Sequence, residues 1–436
     1  MKTDKEHSRT IAAAVTLAAL ALSASLLGGC STGASPALSE RQFVLNGKPV
    51  HVTGLFCHAD GRFSASGFIR SALAIERGVA LYSSDHGATW QIATLQPPAS
   101  GVALTQFAVP GAGADRTPHL AGYRFASLSP PGPWWASSDR GASWHAVAAP
   151  LEVPPVFSWW EPQAVSHLAD DPPTFAYLAR APESPRLDAL TMLMRSTDNG
   201  RSWQRHDLPV HLRWASLTSD GNGHVLLSGP TPVEFFNPST YPVFWSADAG
   251  LTWRSVGEAY SPMAYFHTGI GPVIAYNTSE RKFGRTQVAY SLNHGRDFAL
   301  SNDPDLASSG MIEAIASDGR GRVIAITDMH YILVTDDGGA SWQIVNDLPR
   351  SAVRYPPPRL LFFDNGVAVV LMSGGLIARS TDRGDNWHSM QLPLAKGNYG
   401  FTAHCSDASG LIIAGGQGVA IRSLDYGKTW QPVELR

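Results

Sequence analysis

Residues 83–90 read Ser83-Ser84-Asp85-His86-Gly87-Ala88-Thr89-Trp90, and the pattern Ser/Thr-x-Asp-x-Gly-x-x-Trp returns along the rest of the chain. Further copies begin at Ser137, Ser196, Ser246, Thr335, Ser380 and Ser423. A degenerate copy begins at Ser291, where Asn293 and Phe298 stand in place of the Asp and the Trp. The key positions are Asp85, Asp139, Asp198, Asp248, Asn293, Asp337, Asp382 and Asp425, with steps of 54, 59, 50, 45, 44, 45 and 43 residues. A period of this size marks a series of small structural units.

The chemistry of the motif is local. A short carboxylate accepts backbone N–H groups in a tight turn. The Gly supplies a positive φ that other residues resist. The Trp opens the next strand and packs back over the turn, burying a large apolar area. The box therefore folds a hairpin, and its return in every unit argues for a structural role, since an active site needs its residues once. In the last unit, Phe401–Cys405, Leu411–Ala414, Val419–Arg422 and Trp430–Leu435 read as four strands, with the box between the third and fourth. Residues 312–335 and 359–380 repeat the layout. Four strands in 40–50 residues make one blade of a propeller. The predicted fold is all-β: a single β-propeller of four-stranded blades, eight from the box count, with seven as the alternative. The long early steps predict insertions in the second and third units, of which Pro154–Pro173 is the clearest.

The eight motifs resemble the Asp-box, or BNR repeat, of sialidase-like propellers, a superfamily that includes glycosidases, sortilin-type receptors and photosystem II assembly factors. The resemblance implies the fold and leaves the function open. Sialidases need three arginines converging on a carboxylate, and their Phe/Tyr-Arg-Ile/Leu-Pro motif is absent; Gly67-Phe68-Ile69-Arg70-Ser71 does not match it. Arg124 and Arg213 read as structural or surface residues. A glycosidase needs two carboxylates at a set spacing, and Glu313 and Glu161 read as solvated. His58 and His404 are near one another in the repeat register, but two histidines without a third ligand make a weak metal site. The reading assigns no catalytic residue, no metal and no cofactor. It favours a non-catalytic binding or assembly scaffold for a protein or glycan, with a glycoside hydrolase as the alternative.

Only 16% of residues are charged and the net charge is −3, which argues against a nucleic-acid partner. Lys2, Lys5 and Arg9 precede an apolar run from Ile11 to Leu27, the layout of a signal peptide. The run ends in Leu27-Gly28-Gly29-Cys30, which resembles the lipobox of bacterial lipoproteins. That resemblance implies cleavage after residue 29, an acylated Cys30 and attachment to a membrane through the acyl chains. Ser31 after the cysteine points to the outer membrane of the cell envelope. The expected organisation is a leader over 1–29, a lipidated tether over 30–40 and a propeller over 41–436.

Cys57 and Cys405 occupy the same place in the first and last units. A closed ring makes those units neighbours, so the two cysteines read either as a disulfide or as two buried thiols. Seven of the 13 tryptophans belong to boxes, and the other six fall between 134 and 245. Trp135, Trp214 and Trp245 read as strand residues wedged between blades. Trp159 and Trp160, beside Glu161 in the longest insertion, read as an exposed recognition surface together with Trp134.

Overall fold

The computed structural model describes residues 43–435 apart from short internal stretches, the longest being 108–118, 124–133, 148–165, 180–189, 232–240 and 278–287. The leader, Cys30 and the tether lie outside the described residues, as does the 1–29/30–40 division. Among the described residues no helix is long and apolar enough to cross a membrane.

The described residues form eight sheets in chain order, one for each box. The third to the eighth are four-stranded antiparallel meanders over residues 166–212, 216–259, 263–300, 312–347, 359–391 and 401–432. In each of these six sheets the box joins the third strand to the fourth. In the sixth sheet, for example, the strand Tyr331–Thr335 ends on the box Thr335 and Gln343–Asp347 begins after Trp342.

Strand composition follows position in the sheet. The first strands of successive sheets touch one another, as Ser166–Asp170 touches Ser216–Ser219 and Arg359–Phe362 touches Phe401–Ser406, which sets them around a common centre. The second strands Val225–Ser228, Val323–Thr327, Ala368–Leu371 and Ile412–Gly416 are buried at every residue. Both of their faces meet a neighbouring sheet, so they read as unbroken apolar runs rather than alternating patterns. Fourth strands such as Arg254–Ala259 and His388–Gln391 are largely exposed. The core is accordingly a series of layers between sheets. Ile324, Ile326 and Ile332 of the sixth sheet pack with Ala368, Val370 and Ala378 of the seventh, and Leu226 and Val243 of the fourth pack with Tyr265 and Val273 of the fifth.

The last sheet meets the first. The strand Thr94–Gln96, leaving the first sheet, runs parallel to Ser143–Val147 at the edge of the second. Glu434–Leu435, leaving the eighth sheet, runs parallel to Thr89–Trp90 of the first in the same manner. The eighth-to-first step thus repeats the first-to-second step, and the ring closes. Phe43 N–H donates to the Gly418 carbonyl at 2.7 Å and Gly418 N–H to the Val50 carbonyl at 3.0 Å across this junction. Cys57 and Cys405 are joined in a disulfide with Cα atoms 5.8 Å apart. The architecture is a β-propeller.

Two local expectations change. The segment Trp430–Leu435 is not one strand. Gln431–Pro432 pairs within the eighth sheet, Val433 N–H bonds to the Ala420 carbonyl, and Glu434–Leu435 crosses to the first sheet. The stretch Pro154–Pro173 is not wholly an insertion either, because Ser166–Asp170 is the first strand of the third sheet and pairs with Pro173–Ala179. Its flanking prolines disguised it.

Candidate functional site

The boxes consume their own carboxylates. Asp85 Oδ1 accepts from Ser83 Oγ at 2.8 Å and from Thr89 N–H at 2.9 Å, while Oδ2 accepts the Thr89 hydroxyl at 2.6 Å. Asp139, Asp198, Asp248, Asp337 and Asp425 repeat the pattern, and Asp382 does so with the amide of Asn386 in place of a hydroxyl. Burial alone would raise the Asp85 carboxyl. The bonds from Thr89, Ser83 and Ala88 outweigh it and hold the group below the usual range. In the fifth box the two chemistries trade places. Asn293 Oδ1 accepts from Ser291 Oγ at 2.9 Å and from Asp297 N–H at 3.0 Å, and Asn293 Nδ2 donates to Asp297 Oδ2 at 3.0 Å. The carboxylate has moved four residues along, and the hairpin is kept.

The boxes also join the sheets. The residue after the key Asp or Asn takes a left-handed conformation, with φ of 61° at His294, 62° at Arg383 and 55° at Tyr426. Its carbonyl receives a side chain from the preceding sheet: Trp245 Nε1 donates to His294 O at 2.9 Å, Arg379 Nε to Tyr426 O at 2.7 Å, and Arg422 Nη1 to His86 O at 3.2 Å. Its own side chain meets the turn between the first and second strands of that preceding sheet. At the seventh–eighth seam this contact is aromatic, Phe363 edge-on to Tyr426 at 5.1 Å between centroids. At the sixth–seventh seam it is ionic, with Arg383 Nη2 and Nε 2.6 and 3.0 Å from Asp318 Oδ2.

At the fourth–fifth seam the same positions hold a cluster that stands apart from the others. Asp220 opens the turn after Ser216–Ser219, and its side chain is 3% exposed. Oδ1 accepts the N–H groups of Asn222 and His224 at 2.8 and 3.2 Å, which fixes the carboxylate. Oδ2 lies 2.7 Å from His224 Nδ1 and 3.0 Å from His294 Nδ1. The two imidazoles stack with centroids 4.1 Å apart and planes at 26°, and Trp245 stacks on His224 at 6.0 Å. His267 lies on the neighbouring first strand Met263–His267, with Nε2 3.3 Å from Thr218 Oγ1 and a buried Nδ1 that has no hydrogen-bond partner. Burial lowers its pKa to about 4, with Asp220 opposing and His224 and His294 adding. Burial would raise Asp220, but bonds from Asn222, His224 and His294 bring it below the usual range.

The sequence-predicted candidates fare differently. Trp159, Trp160 and Glu161, with Arg124, Arg213 and Trp214, lie outside the described residues. Trp134 opens the strand Trp134–Ala136, and its side chain lies outside them too. Trp135 is fully buried, and Trp245 is wedged at a seam. Glu313 is exposed near the start of Ile312–Ser317. The Asp220 cluster escaped sequence reasoning because its members are up to 74 residues apart. The signal was present in the repeat register, where Asp318, Arg322 and Arg383 occupy the places of Asp220, His224 and His294.

No protein-family model matches the chain. Vacuolar protein sorting/targeting protein 10 of Paracoccidioides brasiliensis is 31% identical over 129 residues, which is 25% of this chain. The chain spans 8% of the length of that curated relative. Among solved structures, YCF48 bound to D1 peptide aligns with a TM-score of 0.44 at 16% identity, over 74% of this chain and 96% of that one. Prolyl oligopeptidase B of Galerina marginata aligns with a TM-score of 0.52 at 11% identity, over 87% of this chain and 56% of that one. At 11% identity the likeness to prolyl oligopeptidase B is one of fold alone.

Proposed function

We propose that this chain is a lipid-anchored, non-catalytic scaffold of the bacterial cell envelope that binds a protein or a glycan. In this reading residues 1–29 are removed, Cys30 is acylated and placed in the outer membrane, and residues 30–40 tether an eight-bladed propeller of residues 41–436. The observation that supports it is where the repeated polar residues go. The box carboxylates close their own hairpins, and the neighbouring positions staple one sheet to the next. What results is a rigid closed disc, and such discs present variable loops for recognition. The cluster of non-box tryptophans assigns recognition to the second to fourth units, with Trp159 and Trp160 as anchors.

The test has two arms. Labelled fatty acid should enter the wild-type protein and not the Cys30→Ser variant. The acylated protein, isolated from membranes, should retain a stoichiometric envelope protein or a surface glycan, and the Trp159→Ala/Trp160→Ala variant should lose it at an unchanged melting temperature. Hydrolysis of fluorogenic sialosides or glucan oligomers would overturn the scaffold in favour of the glycosidase.

A further inference from the structure

The sixth–seventh and fourth–fifth seams are two versions of one arrangement. Each has a nearly buried carboxylate whose Oδ1 closes a turn and whose Oδ2 faces the box of the next sheet. Asp318 is 1% exposed and Asp220 is 3% exposed. Asp318 Oδ2 receives the permanent cation of Arg383. Arg322, four residues after Asp318, pairs with Asp336 and Asp385. At the fourth–fifth seam histidines replace both arginines, and two stacked imidazoles face the Asp220 carboxylate. Two imidazole nitrogens and a carboxylate oxygen that converge within 4.8 Å of one another are also a donor set for a transition metal.

We propose that Asp220, His224 and His294 bind one divalent transition-metal ion, Zn2+ foremost, across the seam between the fourth and fifth sheets. This is independent of the scaffold reading and revises the sequence-based expectation of no metal. Tetrahedral zinc with bonds of about 2.0–2.2 Å sets its donors roughly 3.4 Å apart. The imidazole Nδ1 atoms stand 2.7 and 3.0 Å from Asp220 Oδ2, so the donors must spread by roughly half an ångström. To bind the metal, each imidazole moves its proton from Nδ1, where it faces Asp220 Oδ2, to Nε2. The surroundings hold the donors in place. Asn222 and His224 N–H groups fix the carboxylate. The His294 backbone is held on both sides, its N–H on the Gly271 carbonyl at 2.9 Å and its carbonyl on Trp245 Nε1. Two nitrogen donors favour zinc and its neighbours over Mg2+ and Ca2+, which prefer oxygen. Three protein ligands leave a fourth position for water or for a side chain of a partner.

The test uses the mature protein stripped with chelator and titrated with Zn2+ or Mg2+ in a calorimeter, with melting temperature read in parallel. Wild type should bind one Zn2+ more than His294→Ala and melt higher with Zn2+, while Mg2+ does neither. Loss of a direct ligand should cost more than the roughly 10–100-fold in affinity that loss of an outer partner costs. His86→Ala, the same box position in the first sheet, should behave as wild type. Since His294→Ala also strips Asp220 of a partner, His294→Arg is the decisive variant. It rebuilds the Arg383–Asp318 pair, so it should fold at least as stably as metal-free wild type and bind no zinc at this seam. Equal zinc stoichiometry in wild type and His294→Arg, or no zinc binding by wild type, overturns the proposal.

Discussion

The hydroxyl of Thr402 donates to the backbone carbonyl of Val52 at 2.6 Å, a hydrogen bond between residues 350 positions apart. It lies beside the Cys57–Cys405 disulfide, which closes a separation of 348 residues. A covalent link over so long a loop restricts the unfolded chain, and the entropic model gives an upper bound of about 5–6 kcal/mol. Cys405→Ser, or reduction of wild type, should therefore lower the melting temperature by several degrees. Two freely labelling thiols in the oxidised, denatured protein would contradict the link.

The exchange in the fifth box makes a double-mutant cycle. Asn293→Asp alone sets two carboxylates against each other at the present 3.0 Å contact and should cost about 1 kcal/mol or more. Asp297→Thr alone removes the acceptor of the Asn293 amide and the exposed pair with Arg254, which is worth little. The double variant restores the arrangement of the other boxes and should regain most of the loss. Additive costs in chemical denaturation would show that the two positions do not interact.

Gly384 tests the close approach of sheets at a box. Its φ is +94°, and a Cβ there would stand 2.6 Å from Ile324 Cδ1 in the fully buried second strand of the preceding sheet. Gly384→Ala should thus suffer both strain and overpacking and lose more than about 2 kcal/mol. Gly319→Ala, with φ +68° and open space around it, should suffer the conformational cost alone. Equal losses would mean that the seam yields freely.

Acid should weaken the fold in two stages. Burial, with Arg140 and Arg62, lowers His58 to about 4, and burial, with Arg359, does the same to His404. The unfolded chain protonates these rings near 6.5, so it binds more protons than the folded one between 6.5 and about 4, and stability is lost as pH drops through that window. Lower still, the box carboxylates take over. Burial raises them, but hydrogen bonds bring Asp85, Asp337 and Asp425 below 3.8, so the stability they confer is present above 3.8 and lost as pH falls through their folded values. His404→Gln should flatten the first stage of the melting temperature against pH. A slope identical to wild type would assign that stage elsewhere.

Much of the fold was legible because the box repeats a local solution. Asp425, Gly427 and Trp430 state the hairpin, and its recurrence at 43–59 residues states the blades. The Cys57 and Cys405 register held the closure as one of two readings. What was not legible lies at the seams. The facing pairs Phe363–Tyr426, Asp318–Arg383 and Asp220–His294 share a geometry but no residue pair, so no motif announces them. The eighth sheet hid its last strand for another reason, since Gln431–Leu435 reads as one extended run whether it pairs with one sheet or two.

That divided run sets an order of assembly. Thr89–Trp90 is made early, yet its edge partner, Glu434–Leu435, is made only after the strands of the other seven described sheets. The first blade is thus among the first to emerge and the last to be completed, and until then its outer edge is a row of open hydrogen-bonding groups. A translating chain holds the ring ajar until Glu434–Leu435 has emerged. Loss of Glu434–Leu435 would leave that edge open for good, free to recruit a strand from another molecule.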